Sequence, residues 1–174
     1  MLNTALILFF PFFMAFAGAS DLVSMTISNK VSVALTAGFM ICALFMGMPW
    51  TQIGMHWAIF AVVLTAGFSL FALGLIGGGD AKLAAATALW LGWENALAYV
   101  AISAFLGGVL TLALLRMRSV PLPERVRNVG WIARLYRADE GIPYGVALAA
   151  GAILVYPQTP WMQHVFQSAR ALAE

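Results

Sequence analysis

The chain reads as six apolar runs separated by short polar breaks. Leu2–Ala19 is apolar apart from Asn3 and Thr4. Val31–Met48 follows and stops at Pro49, and Ala58–Ile76 comes next. Ala81–Trp93 is the fourth run, Ala96–Leu115 the fifth, and Ile142–Tyr156 a short sixth. A helix of ~20 apolar residues, rising ~1.5 Å each, covers the ~30 Å hydrocarbon core of a bilayer. The pattern therefore predicts an all-α, polytopic integral membrane protein with about six transmembrane helices in one domain over residues 1–174. The fourth run is the anomaly. Its thirteen residues reach only ~20 Å as helix. Either that span is thinned and anchored by Trp90 and Trp93, or Asp80, just before it, sits recessed below the membrane surface.

The breaks carry the polar residues. Asp21–Lys30 is a connection. Thr51, Gln52 and His56 mark a short loop, with Trp50 and Trp57 as interface anchors. In the third run, Gly67 and Gly74 would let a neighbouring helix approach closely. Arg116–Glu140 is the longest polar segment, broken by Pro121 and Pro123. From Glu124 it predicts a short helix on the membrane surface showing Val129, Ile132 and Tyr136 on one face. Pro157–Glu174, with Trp161, Val165 and Phe166, reads as an interfacial tail. Ala15–Ser20 has the look of a signal-peptidase site. No Lys or Arg precedes Lys30, however, and the apolar stretch is too long, so the expectation is a retained first span.

Composition supports the membrane reading: 63% of residues are hydrophobic and only 9% charged, against ~25% charged in a soluble globule. A net charge of +2 gives no footing for nucleic acid. The single cysteine, Cys42, lies inside an apolar run, where it can form neither an internal disulfide nor a multi-cysteine zinc site. His56 and His164 have no ligand cluster around them, so no metal or other cofactor is expected. Charge also orients the chain. With six spans, Asp21–Lys30, Gly77–Lys82 and Arg116–Glu140 share one side and hold eight of the nine basic residues. Only Arg170 falls on the other. The positive-inside rule then makes those three segments cytoplasmic and puts both termini outside. Asp21 and Asp80 end up on the same face, two spans apart.

Those two carboxylates are the candidate chemistry. An acidic residue at or below a membrane surface is costly and by default functional. Two Asp carboxyls in a low-dielectric cleft cannot both ionise cheaply, so they share a proton. One can take a proton from water while the other donates to a carbonyl oxygen, which is aspartic-protease chemistry. Gly77, Gly78 and Gly79 precede Asp80, and without Cβ atoms they permit positive φ and a close substrate backbone. A bland account stands beside this: Asp80 could be an N-cap, Lys82 a snorkelling lysine, and Glu94, Asp139 and Glu140 interface charges.

Three stretches carry a family resemblance. Asp21-Leu-Val-Ser-Met-Thr-Ile-Ser-Asn29 resembles a first-aspartate segment in which Asp is followed by Ile-Pro-Asn. Gly77-Gly-Gly-Asp80-Ala-Lys82-Leu83 matches Gly-x-Gly-Asp-x-Lys-Leu. Ile142-Pro143-Tyr144-Gly145 resembles a late Pro-Tyr/Phe-Gly segment opening a last span. Together they resemble the type IV prepilin peptidases, the GxGD membrane aspartic proteases, and most closely the short form of Flp/Tad pilus systems. The resemblance implies Asp21 and Asp80 as catalytic residues, with Gly77, Gly79, Lys82, Asn29 and Pro143 in support. It implies a prepilin substrate whose short basic leader is cut after a Gly at the cytoplasmic face of the inner membrane. Ser28 replaces the family's Pro, which leaves the turn after Asp21 less rigid. No cysteine-bearing insert lies between Asp21 and Lys30, which argues against the N-methylation of some long members. The patch from Arg116 to Arg137 suits anionic lipid headgroups or the holding of a substrate near the membrane, and headgroups are the preferred assignment.

Two other classes fit less of the chain. A small proton- or cation-coupled transporter using Asp21 and Asp80 as a relay needs a polar path to the far side. Only Thr65, Ser69, Thr87, Ser103 and Thr111 offer one. A non-catalytic pilus assembly scaffold would tolerate Asp80→Asn.

Overall fold

A computed structural model describes residues 2–121 and 128–163. Six α-helices carry the described chain: α1 (Leu2–Ser24), α2 (Asn29–Phe45), α3 (Trp50–Ala72), α4 (Gly78–Arg118), α5 (Gly130–Tyr136) and α6 (Tyr144–Val155). Single 3-10 turns lie on either side of α6, Ala138–Glu140 before it and Tyr156–Gln158 after it, and residues 160–163 are helical again. There is no strand among the described residues, and the all-helical expectation is met. Helices α3 and α4 are long and apolar enough to cross a membrane.

Helix α4 runs 41 residues but is not straight. Gly92 has φ 71° and ψ 178°, a conformation open essentially to glycine alone. A straight helix would set Asp80 and Gly107 roughly 40 Å apart, yet both line one cavity. The chain therefore folds back at Gly92, and α4 is two packed limbs, one on each side of that residue. They correspond to the fourth and fifth apolar runs.

The first limb explains the short fourth run. Ala81, Leu83 and Ala85 to Leu91 are all buried, so this limb is a central post enclosed by its neighbours. Small residues allow the enclosure. A methyl at Gly67 of α3 would stand 3.1 Å from the Ala81 Cβ, a contact that lets α3 lie close along the post. Helices α3 and α6 make the most extensive contacts with α4, and α1 packs along α6. Trp90 stands at the far end of the post, fully buried. It donates from Nε1 to the Leu35 carbonyl at 2.8 Å and receives Trp161 Nε1 on its own carbonyl at 2.8 Å. Phe10 and Trp161 sit against it with ring centroids 5.4 and 5.3 Å away. Trp90 is therefore a core residue and not the interface anchor the sequence suggests. Trp161, 1% exposed, likewise belongs to the core and not to an interfacial tail. Trp93 and Trp50 remain exposed.

Other local readings change as well. Thr51, Gln52 and His56 lie inside α3, and the His56 Nδ1 meets the Leu89 carbonyl at 2.6 Å, bracing the bend. Gly74 does not seat a helix. With φ 71° it ends α3, and Leu75 N–H reaches back to the Leu70 carbonyl at 3.0 Å. Of the segment read as a surface helix from Glu124, the described part holds α5, Gly130–Tyr136, while Glu124 lies outside the described residues. Arg125 and Arg127 lie outside the described residues, as do His164, Val165, Phe166 and Arg170.

Candidate active site

Asp21 sits in the last turn of α1 and is 6% exposed. Its Oδ2 accepts a hydrogen bond of 2.7 Å from the Gly145 backbone N–H. That donor exists because Gly145 lies in the first turn of α6, where N–H groups have no intrahelical acceptor. Pro143, buried, caps this helix and needs no N–H of its own. The Gly145 position has no room for a side chain: a Cβ would lie 2.8 Å from Asp21 Oδ2 and 2.7 Å from Ile27 Cδ1.

Asp80 is the third residue of α4 and half-buried. Its Oδ2 accepts from the N–H of Gly77, the N-cap, at 3.2 Å. It is thus not the N-cap itself; it reaches back to it. The expectation of positive φ at Gly77–Gly79 is not met: Gly77 has φ −74°, and none of the three has a positive φ. What these glycines supply is proximity. A Cβ at Gly79 would stand 3.2 Å from the Ile27 Cβ, and one at Gly77 would stand 2.8 Å from Asp80 Oδ2.

Ile27 joins the two halves. Its side chain touches Gly145 beside Asp21 on one side and Gly79 beside Asp80 on the other. The carboxyls, 59 positions apart in the chain, are close enough for their charges to interact. Next to them, Lys82 Nζ donates to Asn29 Oδ1 at 2.9 Å across the same junction. Of the five supporting residues read from the sequence, Gly77 and Gly79 lie beside Asp80, Pro143 precedes the α6 turn that holds Asp21, and Lys82 and Asn29 bond each other.

The turn between α1 and α2 holds this junction in shape. Met25 adopts φ 53°, the Ser24 hydroxyl bonds the Ser20 carbonyl at 2.7 Å, and Ser28 caps α2 by accepting from Lys30 N–H at 3.3 Å. Ser28 has φ −64°, the angle a proline would impose, so the turn keeps a proline-like geometry.

Arginines tie the polar segment down from outside. Arg118 donates from Nε to the Leu135 carbonyl at 2.7 Å and from Nη2 to the Gly141 carbonyl at 2.6 Å. Arg134 Nη1 donates to the Val23 carbonyl at the end of α1, at 3.0 Å. Arg137 pairs with Asp139 and Glu140. Three of the arginines assigned to lipid headgroups thus bond within the protein. Arg116 is exposed. Ile27, the Gly145 N–H and these arginine straps are what sequence reasoning missed. The one signal was the Pro143-Tyr144-Gly145 helix start, which offers free backbone donors.

Among the described residues, no three His, Cys, Asp or Glu side chains group as a metal site. Neither the curated proteins nor the solved structures include a match to the chain. The profile of the type IV leader peptidase family matches residues 8–112, more than half of the 174, and spans both Asp21 and Asp80. On that extent of similarity, the chain belongs to the type IV leader peptidase family.

Proposed function

We propose that this peptidase is an aspartic endopeptidase of the bacterial inner membrane that removes the short basic leader of an Flp-type prepilin after a Gly. The observation that carries the reading is the meeting of Asp21 and Asp80, from helices remote in sequence, around Ile27. The match to a leader peptidase family gives the reaction class.

In this reading the two carboxyls share one proton. The ionised member takes a proton from water, and the water oxygen attacks the scissile carbonyl carbon. The protonated member donates to the carbonyl oxygen. Collapse of the tetrahedral adduct breaks the C–N bond, and the departing amine leaves protonated as the new amino terminus. Each carboxyl has one oxygen fixed by a backbone N–H, which leaves its other oxygen for the reaction. Lys82 and Asn29 shape the entrance. Six membrane crossings, both termini outside, a cytoplasmic site and exposed Arg116 against lipid headgroups complete the proposal, all resting on the distribution of basic residues.

The test is co-expression with a candidate prepilin. Asp21→Asn and Asp80→Asn should each abolish leader removal while the protein still inserts. Normal processing by either variant takes that residue out of the pair.

A further inference from the structure

Between α2 and α3 lies a cavity of about 960 Å³. Its wall runs from Asn29 to Met40 on α2 and from Phe60 to Ala72 on α3, which at ~1.5 Å per residue is roughly 16–18 Å, or about three turns of helix. One end is shut. There Trp57 Nε1 donates to Met40 Sδ at 3.3 Å, and the short linker 46–49 joins the two helices beyond it. At the other end stands Lys82 of α4, bonded to Asn29 of α2. The side is open: Val33 and Phe68, one on each wall, are 66% and 58% exposed. The cavity is therefore a trough, closed at the α2–α3 linker and flanked by a positive charge at its far end.

Lipid chains ask only for apolar walls. These walls also carry hydroxyls, Ser32 and Thr36 on α2 and Thr65 and Ser69 on α3, each pair four residues apart. The Thr36 and Ser69 hydroxyls bond back to the Ser32 and Thr65 carbonyls, both at 2.9 Å. They turn short side chains to the trough, the kind of surface on which a helix backbone packs closely inside a membrane. The charge is a separate observation. The Lys82 ammonium gives one hydrogen bond to a neutral amide and has further donors to give. Among the described residues no carboxylate pairs with it. An ammonium beside hydrocarbon calls for an anionic partner. Position is the last. Lys82 follows Asp80 by two residues and Asn29 follows Ile27 by two, so this end of the trough opens beside the junction that Ile27 makes between the two Asp segments.

We propose that the trough seats the apolar helix that follows the cut in the peptidase's substrate, with its amino-terminal end at Lys82 and a carboxylate of its first turn paired with that ammonium. The assignment rests on the peptidase reading above and adds where the substrate lies and what selects it. An acidic residue in the first turn already faces the positive end of its own helix dipole, and here it meets Lys82 as well. The apolar side chains of the helix fill the trough, and the residues before it reach the carboxyl pair.

Photo-crosslinking of the whole protein in lipid nanodiscs tests the seat, with benzoylphenylalanine in place of Val33 or Phe68. The control position is Leu97, an exposed residue of the second α4 limb outside the trough. The probe is a synthetic peptide with a basic leader, a Gly and an apolar helix carrying one Glu in its first turn. Positions 33 and 68 should give several-fold more peptide adduct than position 97. Lys82→Met, and a probe with Gln in place of that Glu, should each raise KM for leader removal by about ten-fold at unchanged kcat, the worth of one charge-assisted contact. Combined, they should raise it no further. Thr65→Phe, which fills the trough from an exposed position, should raise KM with Tm unchanged. Equal adducts at the three positions, adducts to lipid alone, or an unchanged KM in Thr65→Phe overturns the docking site. Adducts as expected, with additive effects of Lys82→Met and the Gln probe, overturn the pairing with Lys82. Crosslinking needs no cleavage, so if Asp80→Asn cleaves normally the catalytic assignment fails and the adducts still decide the trough.

Discussion

Replacing Gly145 by Ala adds one methyl at the point where three segments converge, and the geometry states what it must displace. The new Cβ would sit 2.8 Å from Asp21 Oδ2, 3.0 Å from Asp21 Cβ and 2.7 Å from Ile27 Cδ1. Comfortable contact begins at roughly 3.5 Å, so the carboxyl oxygen must retreat by about 0.7 Å. The Gly145 N–H···Oδ2 bond, 2.7 Å long, then stretches to about 3.4 Å, beyond the usual ~3.2 Å limit. A hydrogen bond to a charged group contributes about 1.5–3 kcal/mol, and overpacking adds a cost of about 1–3 kcal/mol. For catalysis the displacement matters more: a misplacement near 1 Å costs on the order of 100-fold. Gly145→Ala should therefore cut leader removal by about two decades, with a stability loss of a few kcal/mol. The assay is the rate of prepilin cleavage by purified protein in nanodiscs, with thermal unfolding alongside. Gly108→Ala is the matched control, since a Cβ there meets nothing within 4 Å. A Gly145→Ala enzyme that cleaves within threefold of wild type would refute the claim that this backbone N–H aims Asp21.

Other substitutions probe other parts. Gly92→Ala forces a side chain into φ 71°, ψ 178° and against the His56 ring at 3.1 Å. It should destabilise by about 1–3 kcal/mol or more, read as lowered yield and Tm. Arg118→Lys keeps the charge but cannot hold the Leu135 and Gly141 carbonyls with one planar fork. The strap leading to Gly145 should loosen, with reduced kcat and faster proteolysis after Tyr136. Lys82→Met breaks the exposed Lys82–Asn29 bond; stability should change by less than about 1 kcal/mol, and any larger effect on cleavage would place Lys82 at the substrate.

Much of this was legible in the chain, and the rest fails for identifiable reasons. The helical segments and the Asp21–Asp80 pairing follow from hydropathy, charge bias and the Gly-Gly-Gly-Asp break, all local signals. The misread tryptophans show the limit. In a membrane protein the core and the lipid-facing surface are equally apolar, so Trp90 and Trp161 look no different in sequence from Trp50. Burial is decided by packing of limbs that the chain brings together only after folding back at Gly92. His56 read as loop because polar residues usually mark loops; its bond to Leu89 O lies 33 positions away. The Gly145–Asp21 contact spans 124 positions, and no periodicity reaches that far.

The buried post has a consequence for biosynthesis. In the proposed six-crossing arrangement the Gly78–Leu91 limb, at roughly 20 Å, is shorter than the ~30 Å of hydrocarbon it would traverse. It cannot halt in the bilayer by itself. It has to be delivered together with the limb after Gly92, as a helical hairpin, and then be surrounded. In that arrangement the segment that bears Asp80 reaches its final depth only as the last layers assemble, and the proposed Asp21–Asp80 pair forms only in the completed fold.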